Sequence, residues 1–297
     1  MKKIGRLITA MVTPFNDKGE VDYEQAKKLA RALIDSGSEG VVVVGTTGES
    51  PTTIRSEELR LFREIKAAIG DRGSVIAGTG SNSTAEAIEA TREAEKIGVD
   101  ACLLVVPYYN KPTQEGLYQH FKMTAESTSL PCILYNVPSR TVTNMAPETT
   151  ARLSHVKNII GVKEASGNLE QIARIISGSR KDFIVWSGND SDTLPMLAIG
   201  AYGVISVASH LVGKQISEMI KCFVEGKTDR AAELHRQLMP IFSGLFIVSN
   251  PIPVKYALNQ VGFKVGKPRP PLCEPDEKTA AQIMDIVKKY KIDLPVK

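Results

Sequence analysis

The sequence predicts an α/β fold, namely a (β/α)8 barrel with a C-terminal helical extension. Eight short apolar runs recur up to Val207, and stretches with helical periodicity separate them. Runs that are apolar on both faces are typical of parallel strands covered by helices. The number eight favours a closed TIM barrel over an open sheet. An open sheet would also favour a glycine-rich turn after the first strand, and Thr13–Asn16 contains no glycine.

The predicted strands follow one another at intervals of about 30 residues, the length of one βα unit. They are short and apolar, and several are bounded by Gly or Pro. In chain order they are Leu7–Thr13, Gly40–Gly45, Ser74–Thr79, Ala101–Val106, Cys132–Asn136, Ile159–Lys163, Phe183–Ser187 and Gly203–Val207.

The segments between strands place apolar residues at helical spacing. The predicted helices are Tyr23–Ser36, Ser56–Ile69, Thr84–Ile97, Gln114–Ser127, Ala146–Ser154 and Leu169–Ser177. Ser56 followed by two glutamates predicts the start of the second helix. After about residue 225 only helical patterns continue, over Thr228–Phe246, Pro253–Val261 and Pro275–Tyr290. We therefore predict a catalytic barrel domain over residues 1–224 and a helical domain over residues 225–297.

Composition predicts a soluble, cytoplasmic protein, with 42% apolar and 24% charged residues. A net charge of +4 without a basic cluster argues against a nucleic-acid partner. The apolar segment Leu7–Phe15 is too short to span a membrane and does not resemble a signal peptide. The four cysteines are far apart and show no metal-binding spacing; Cys102 and Cys132 are predicted to be reduced core residues.

The sixth predicted strand carries a lysine near its end. Alternation places Ile159, Gly161 and Lys163 on one face, and Gly161 is expected to leave room beside the lysine for a small molecule. A strand-end lysine either extends its ammonium to water or serves as a nucleophile toward a carbonyl. The strand alone leaves both interpretations open.

Catalytic groups of such barrels lie at the C-terminal ends of the strands. Polar residues follow several predicted strands, in the segments Gly45–Ser50, Pro107–Pro112, Tyr135–Arg140 and Ser187–Asp190. Asp190 and Asp192 lack a third metal ligand nearby, which favours helix capping over a metal site. A lysine inside a barrel with a tyrosine on the adjacent strand is typical of a Schiff-base aldolase, in which the phenol transfers protons.

Three motifs in this order resemble the dihydrodipicolinate synthase / N-acetylneuraminate lyase family. They are Gly45-Thr46-Thr47-Gly48-Glu49, Tyr135-Asn136-Val137-Pro138 and Gly161-Val162-Lys163-Glu164. The resemblance extends from about Ile4 to the final helices. Pro107–Pro112 and Pro138-Ser139-Arg140 make the chain similar to the synthase branch of the family.

The resemblance implies that Lys163 forms an imine with pyruvate. Tyr135 would donate and accept protons, linked through Thr46 to Tyr109, which would reach in from a neighbouring subunit of a homo-oligomer, a dimer of dimers. The implied reaction condenses pyruvate with L-aspartate 4-semialdehyde to 4-hydroxy-tetrahydrodipicolinate, the first committed step of diaminopimelate and lysine biosynthesis. No metal or organic cofactor is expected, because the lysine is the electron sink.

The resemblance also implies the substrate contacts. Thr47 would hold the carboxylate of pyruvate, Arg140 that of the semialdehyde, and the backbones of Gly188 and Ile205 would line the pocket. Branches acting on sugar acids generally lack an arginine at position 140. The alternatives are another pyruvate-dependent aldolase or a keto-sugar-acid dehydratase, and a non-catalytic ligand-binding barrel.

Members of the synthase branch often carry an inhibitory lysine site at a dimer interface. The corresponding residues here are Ser50, Pro51, Arg55, Glu58, Asn82, Glu86 and Tyr108. Arg55 stands where well-known inhibited members have a histidine. Its cation either repels the amine of lysine or pairs with Glu58 or Glu86.

Overall fold

The computed structural model describes residues 4–295 and contains a closed barrel of eight strands in the order β1 to β8. The strands are β1 Leu7–Ala10, β2 Gly40–Val43, β3 Ser74–Gly78, β4 Ala101–Val105, β5 Cys132–Asn136, β6 Ile159–Glu164, β7 Ile184–Ser187 and β8 Gly203–Ser206. The predicted barrel and all eight strands are confirmed. Five of the observed strands, β1, β2, β3, β4 and β8, end one to three residues earlier than predicted, and β6 ends one residue later.

The predicted helices are also confirmed, with small shifts at their ends. The helices are α1 Tyr23–Asp35, α2 Arg55–Ile69, α3 Thr84–Ile97, α4 Gln114–Glu126, α5 Pro138–Thr141, α6 Pro147–Leu153, α7 Leu169–Gly178, α8 Thr193–Ala198, α9 Ser209–Val224, α10 Thr228–Gly244, α11 Ile252–Gln260 and α12 Glu277–Val287. Helices α5, α8 and α9 were not predicted. The predicted start of α2 at Ser56 is wrong: the carboxylate of Glu57 caps the N–H of Ile54, and the helix begins at Arg55.

The chain divides into two compact units, Ile76–Ile205 and a second unit that contains residues 4–75 and 206–295. The predicted domain boundary at residue 224 coincides with the end of α9, and assigning the two sides to a catalytic and a helical domain remains our proposal. No helix within residues 4–295 has the length and hydropathy of a membrane span.

The unit Ile76–Ile205 is built on the parallel pairs β4–β5, β5–β6 and β6–β7. Gly161 in β6 permits the close approach of β7, because a Cβ there would lie 2.2 Å from the carbonyl oxygen of Ile184 and 2.8 Å from the Trp186 ring. The expectation that Gly161 leaves room for a small molecule is therefore wrong. Trp186 fills that space.

The second unit contains a buried histidine that links α9 to the segment after β1. The N–H of Val12 donates to Nε2 of His210 at 3.1 Å, so Nδ1 carries the ring proton and donates to the carbonyl of Val207 at 2.8 Å. Burial lowers the pKa of His210 to about 4. The ring is therefore neutral near pH 7 and its tautomer is fixed by its two partners.

The cysteines behave as predicted. Cys102 and Cys132 are buried and reduced, and burial raises the pKa of the Cys102 thiol to about 12. A thiol with so high a pKa is chemically inert at neutral pH.

Candidate active site

Lys163 and Tyr135 lie opposite each other, in register on β6 and β5. Both side chains are buried, with 5% and 6% of their surfaces exposed, and Lys163 Nζ lies 4.3 Å from the centroid of the Tyr135 ring. Among the residues that the structure describes, no carboxylate pairs with this amine. The amine is thus buried without a counter-charge, beside a phenol that can exchange protons. This is the arrangement that a Schiff-base lysine requires.

A buried hydrogen-bond network fixes the ends of these two strands. Asn136 Nδ2 lies 3.1 Å from both carboxylate oxygens of Glu164, and the N–H of Ser166 donates to the same carboxylate at 2.8 Å. Burial raises the pKa of Glu164, and these hydrogen bonds oppose the shift. Both residues lie inside the sequence motifs, but no role was predicted for them. Asn136 and Glu164 directly follow Tyr135 and Lys163, so their hydrogen bonds fix the backbone next to both side chains.

Arg140 and Gly188 follow β5 and β7, the two strands that pair with β6 in the same unit. Arg140 lies in the short helix α5, directly after β5, and its side chain is exposed. The N–H of Gly188 donates to the carbonyl of Glu164 at 2.7 Å, and a Cβ at position 188 would lie 2.6 Å from that of Ala165. Ile205 is fully buried at the end of β8.

Tyr109 lies in the loop after β4 with unusual backbone geometry. Its φ is +75°, and the N–H of Asn110 donates to the carbonyl of Tyr108 at 2.9 Å, which closes a γ-turn around it. The side chain is 90% exposed. A non-glycine residue in such a turn costs about 1–3 kcal/mol, and strain of this kind concentrates at functional positions.

In the second unit, Thr46 and Thr47 lie in the loop after β2. Two residues with positive φ flank them, Val44 at +58° and Glu49 at +59°. Thr47 is buried and its Oγ1 accepts a hydrogen bond from Asn250 Nδ2 at 2.9 Å, whereas Thr46 is half-buried. Within residues 4–295 the backbone N–H groups of both threonines make no hydrogen bond. Adjacent N–H donors of this kind suit an anionic ligand.

A buried ion pair anchors the same loop to the C-terminal helices. Lys255 Nζ lies 2.7 Å from Glu49 Oε1, and neither side chain is more than 1% exposed. Burial lowers the pKa of Lys255, and the negative charge of Glu49 opposes that shift. The N–H of Arg269 donates to the other oxygen of Glu49 at 2.8 Å.

Asn250 and Lys255 were not predicted as functional residues from the sequence. They lie 203 and 206 residues from their partners, and no local pattern connects positions so distant. One signal was available for Lys255, because it is a lone cation in the otherwise apolar start of α11.

The proposed lysine-site residues form contacts within each unit. In the second unit, Ser50 and Pro51 lie in a short 3-10 turn, and Arg55 pairs with Glu58 at 2.8 Å. Of the two carboxylates named as possible partners of Arg55, Glu58 and Glu86, the structure shows a contact with Glu58. The guanidinium is partly exposed, so the pair contributes little to stability.

The other three residues of the proposed lysine site, Asn82, Glu86 and Tyr108, lie in the unit Ile76–Ile205. Asn82 Nδ2 donates to the carbonyl of Tyr108 at 3.2 Å, and the hydroxyl of Ser81 donates to Glu86 at 2.8 Å. Tyr108 is 40% exposed.

No group of three or more His, Cys, Asp or Glu side chains in residues 4–295 is arranged to hold a metal ion.

The capping role expected for Asp192 is wrong. Its carboxylate accepts from the Asn189 side chain at 2.8 Å, and it makes no side-chain cap bond to α8.

Comparison with known proteins identifies the family. A model of the dihydrodipicolinate synthetase family matches residues 3–290. A 4-hydroxy-tetrahydrodipicolinate synthase of Dehalococcoides mccartyi is 70% identical over 297 residues, which is 100% of both chains. The crystal structure of dihydrodipicolinate synthase from Bacillus anthracis has a TM-score of 0.95 at 45% identity and covers 98% of this chain and 99% of its own. Lysine-bound dihydrodipicolinate synthase from Cyanidioschyzon merolae has a TM-score of 0.94 at 48% identity, over 96% and 97% of the two chains. The chain belongs to this family.

Proposed function

We propose that this member of the dihydrodipicolinate synthetase family condenses pyruvate with L-aspartate 4-semialdehyde through a Schiff base on Lys163. The product is 4-hydroxy-tetrahydrodipicolinate, and the reaction is the first committed step of diaminopimelate and lysine biosynthesis. The observation that carries the proposal is the buried amine of Lys163 beside the phenol of Tyr135. The name of the full-length relative with 70% identity supports the same reaction.

The steps follow from ordinary imine chemistry. The amine of Lys163 attacks the keto carbon of pyruvate, and loss of water gives the imine. Tyr135 transfers the protons, and Thr46 and Tyr109 relay them. Loss of a methyl proton gives the enamine, whose carbon attacks the aldehyde carbon of the second substrate. The amine of that substrate then closes the ring and releases Lys163. The imine is the electron sink, so the proposal includes no metal or organic cofactor.

The substrate carboxylates are assigned to separate groups. Thr47 holds that of pyruvate by its backbone N–H and hydroxyl, and Arg140 holds that of the semialdehyde. The backbones of Gly188 and Ile205 line the pocket. The exposure of Arg140 directly after the strand that carries Tyr135 supports its assignment to the incoming substrate.

A coupled assay tests the reaction. Pyruvate and aspartate semialdehyde are supplied, the reductase that consumes the product is in excess, and oxidation of the nicotinamide cofactor is followed. Turnover supports the proposal. An enzyme that forms a borohydride-stable pyruvate adduct but does not turn over uses a different aldehyde, as the alternative aldolases and dehydratases would. An enzyme without either property is the non-catalytic barrel.

Replacing Arg140 with Ala should lower kcat/KM for the semialdehyde by about two to three orders of magnitude, because a charge-assisted contact to carboxylate is lost. Formation of the pyruvate imine should stay normal, as measured by borohydride trapping and intact mass. Arg92→Ala, which removes another exposed arginine, is the matched control. Equal loss in both half-reactions would show that Arg140 acts as a scaffold residue.

We propose that the protein is a homo-oligomer, a dimer of dimers, in which Tyr109 enters the site of a neighbouring subunit. Support comes from the strained backbone and 90% exposure of Tyr109. An aromatic side chain presented in this way gains by burial in a partner.

Complementation tests donation across the interface. Lys163→Ala and Tyr109→Phe are each expected to be nearly inactive, but co-expressed chains should regain activity in about a quarter of the sites, because a mixed dimer contains one site with both groups. Lys163→Ala mixed with Tyr135→Phe is the control and should stay inactive, since those residues act within one chain. Absence of recovery in the first mixture would place Tyr109 in the site of its own subunit.

A lysine site formed by Ser50, Pro51, Arg55, Glu58, Asn82, Glu86 and Tyr108 remains part of the proposal. The pairing of Arg55 with Glu58 occupies a carboxylate that could otherwise hold the ammonium of lysine. The coupled assay with added L-lysine measures whether the site inhibits.

We further propose a cytoplasmic location without nucleic-acid or membrane partners, in keeping with the reduced thiols of Cys102 and Cys132.

A further inference from the structure

The side chain of Asn250 reaches the hydroxyl of Thr47 from a distant part of the chain. Asn250 Nδ2 lies 2.9 Å from Thr47 Oγ1, and the two residues are 5% and 3% exposed. Asn250 lies just before α11, which also carries Lys255, the buried partner of Glu49. The C-terminal helices therefore contact the loop after β2 at two buried points.

The direction of this hydrogen bond constrains the hydroxyl. An amide nitrogen only donates, so Oγ1 of Thr47 accepts in this contact. The single hydroxyl proton of Thr47 then lies off the line to Asn250, which leaves it able to donate to a bound ligand. The backbone N–H of Thr47 is a second donor without a partner in residues 4–295. Two donors on one residue suit a carboxylate, which only accepts.

Neighbouring contacts prevent the loop from rotating away from this arrangement. The Thr13 hydroxyl donates to the carbonyl of Gly48 at 2.6 Å, directly after Thr47. On the far side of Gly48, Glu49 is held at a positive φ and paired with Lys255. The hydroxyl of Thr47 is thus set by Asn250 on a loop whose backbone is fixed.

We propose that Asn250 is a positioning residue that keeps the Thr47 hydroxyl a donor and so makes this loop selective for the carboxylate of the keto acid. The inference rests on the proposed function, in which Thr47 binds that carboxylate. It adds a residue that acts through Thr47 without contacting pyruvate itself.

The Asn250→Asp variant reverses the contact with almost no change in shape. An ionised carboxylate only accepts, so the Thr47 hydroxyl turns to donate to Asp and no longer donates to pyruvate. The KM for pyruvate should rise about ten- to a hundredfold, as expected for a lost hydrogen bond to a charged group. The KM for the semialdehyde should change by less than about twofold, and kcat at saturating pyruvate should fall much less than kcat/KM.

Asn259→Asp is the matched control. Asn259 is partly buried in the same helical segment, where its side chain contacts Gly266 and Val265 and not Thr47. This variant should keep the wild-type KM for pyruvate.

A double-mutant cycle identifies the route of the effect. In a Thr47→Val background, Asn250→Asp should raise the pyruvate KM by less than about threefold further, because the hydroxyl is gone. A full additional increase there, or an unchanged pyruvate KM in folded Asn250→Asp, would overturn the inference. If Asn250→Asp does not fold, Asn250→Ala takes its place; a rise in pyruvate KM alone supports the inference, and an unchanged pyruvate KM overturns it.

Borohydride trapping with wild-type enzyme distinguishes a failure of the proposed function from a failure of the role proposed for Asn250. A wild-type enzyme that traps no pyruvate contradicts the proposed function. A wild-type enzyme that traps pyruvate at the same half-saturating concentration as Asn250→Asp contradicts only the role of Asn250.

Discussion

Lys163→Ala is expected to form no borohydride-stable adduct with pyruvate and to lose at least about three orders of magnitude in kcat. The reason is chemical, because the imine and enamine exist only on the amine of Lys163. The backbone of position 163 pairs with that of Tyr135 in β5 whichever side chain it carries, so the fold should persist. Intact-mass measurement after reduction detects the adduct, and the coupled assay measures turnover.

Two further variants make this result specific to the amine. Lys163→Arg keeps a long cationic side chain but cannot form the imine, so it should be as inactive as the Ala variant. Lys181→Ala removes an exposed lysine and should trap pyruvate as the wild type does. A pyruvate adduct that persists in Lys163→Ala would assign the nucleophile to another residue and would remove the basis of the mechanism.

The sequence predicted the parts of the fold that depend on local pattern. Eight apolar runs were recognisable because both faces of each strand are buried, and Lys163 and Tyr135 could be paired because consecutive strands of a barrel are neighbours. Helix α9 was missed because its first turns are buried on nearly all sides and contain a non-helical residue, Val212 with φ −127°. Such a segment has no polar face to produce a helical period.

The pairing of Lys163 with Tyr135 was predictable for this reason, whereas contacts with side chains from other segments were not. The function of Gly161 was misjudged because Trp186 comes from the next strand, and its volume is invisible in the run around Gly161. Asn250 and Lys255 act on the loop after β2 across more than 200 residues. Contacts of that length are determined by the closure of the whole fold, so one sequence read by local pattern does not reveal them.

The largest stability effect is expected from the buried pair of Glu49 and Lys255. Lys255→Ala leaves the Glu49 carboxylate buried without its cation, which costs about 3–5 kcal/mol in the free energy of unfolding. Lys255 Nζ also donates to the carbonyls of Thr13 and Lys267, at 3.0 and 3.1 Å, and both acceptors lose this partner. Urea unfolding followed by circular dichroism measures the change.

The matched comparison separates loss of one charge from loss of the pair. Glu49→Gln combined with Lys255→Met removes both charges at nearly constant volume, and this variant should recover at least about half of the stability lost in Lys255→Ala, since no charge stays unpaired. Lys227→Ala, which breaks an exposed pair with Glu225, should change stability by less than about 1 kcal/mol. Because Glu49 follows Thr47 by two residues, Lys255→Ala should also raise the pyruvate KM even where it folds. A Lys255→Ala variant as stable as Lys227→Ala, with an unchanged pyruvate KM, would mean that the loop holds its position without the C-terminal helices.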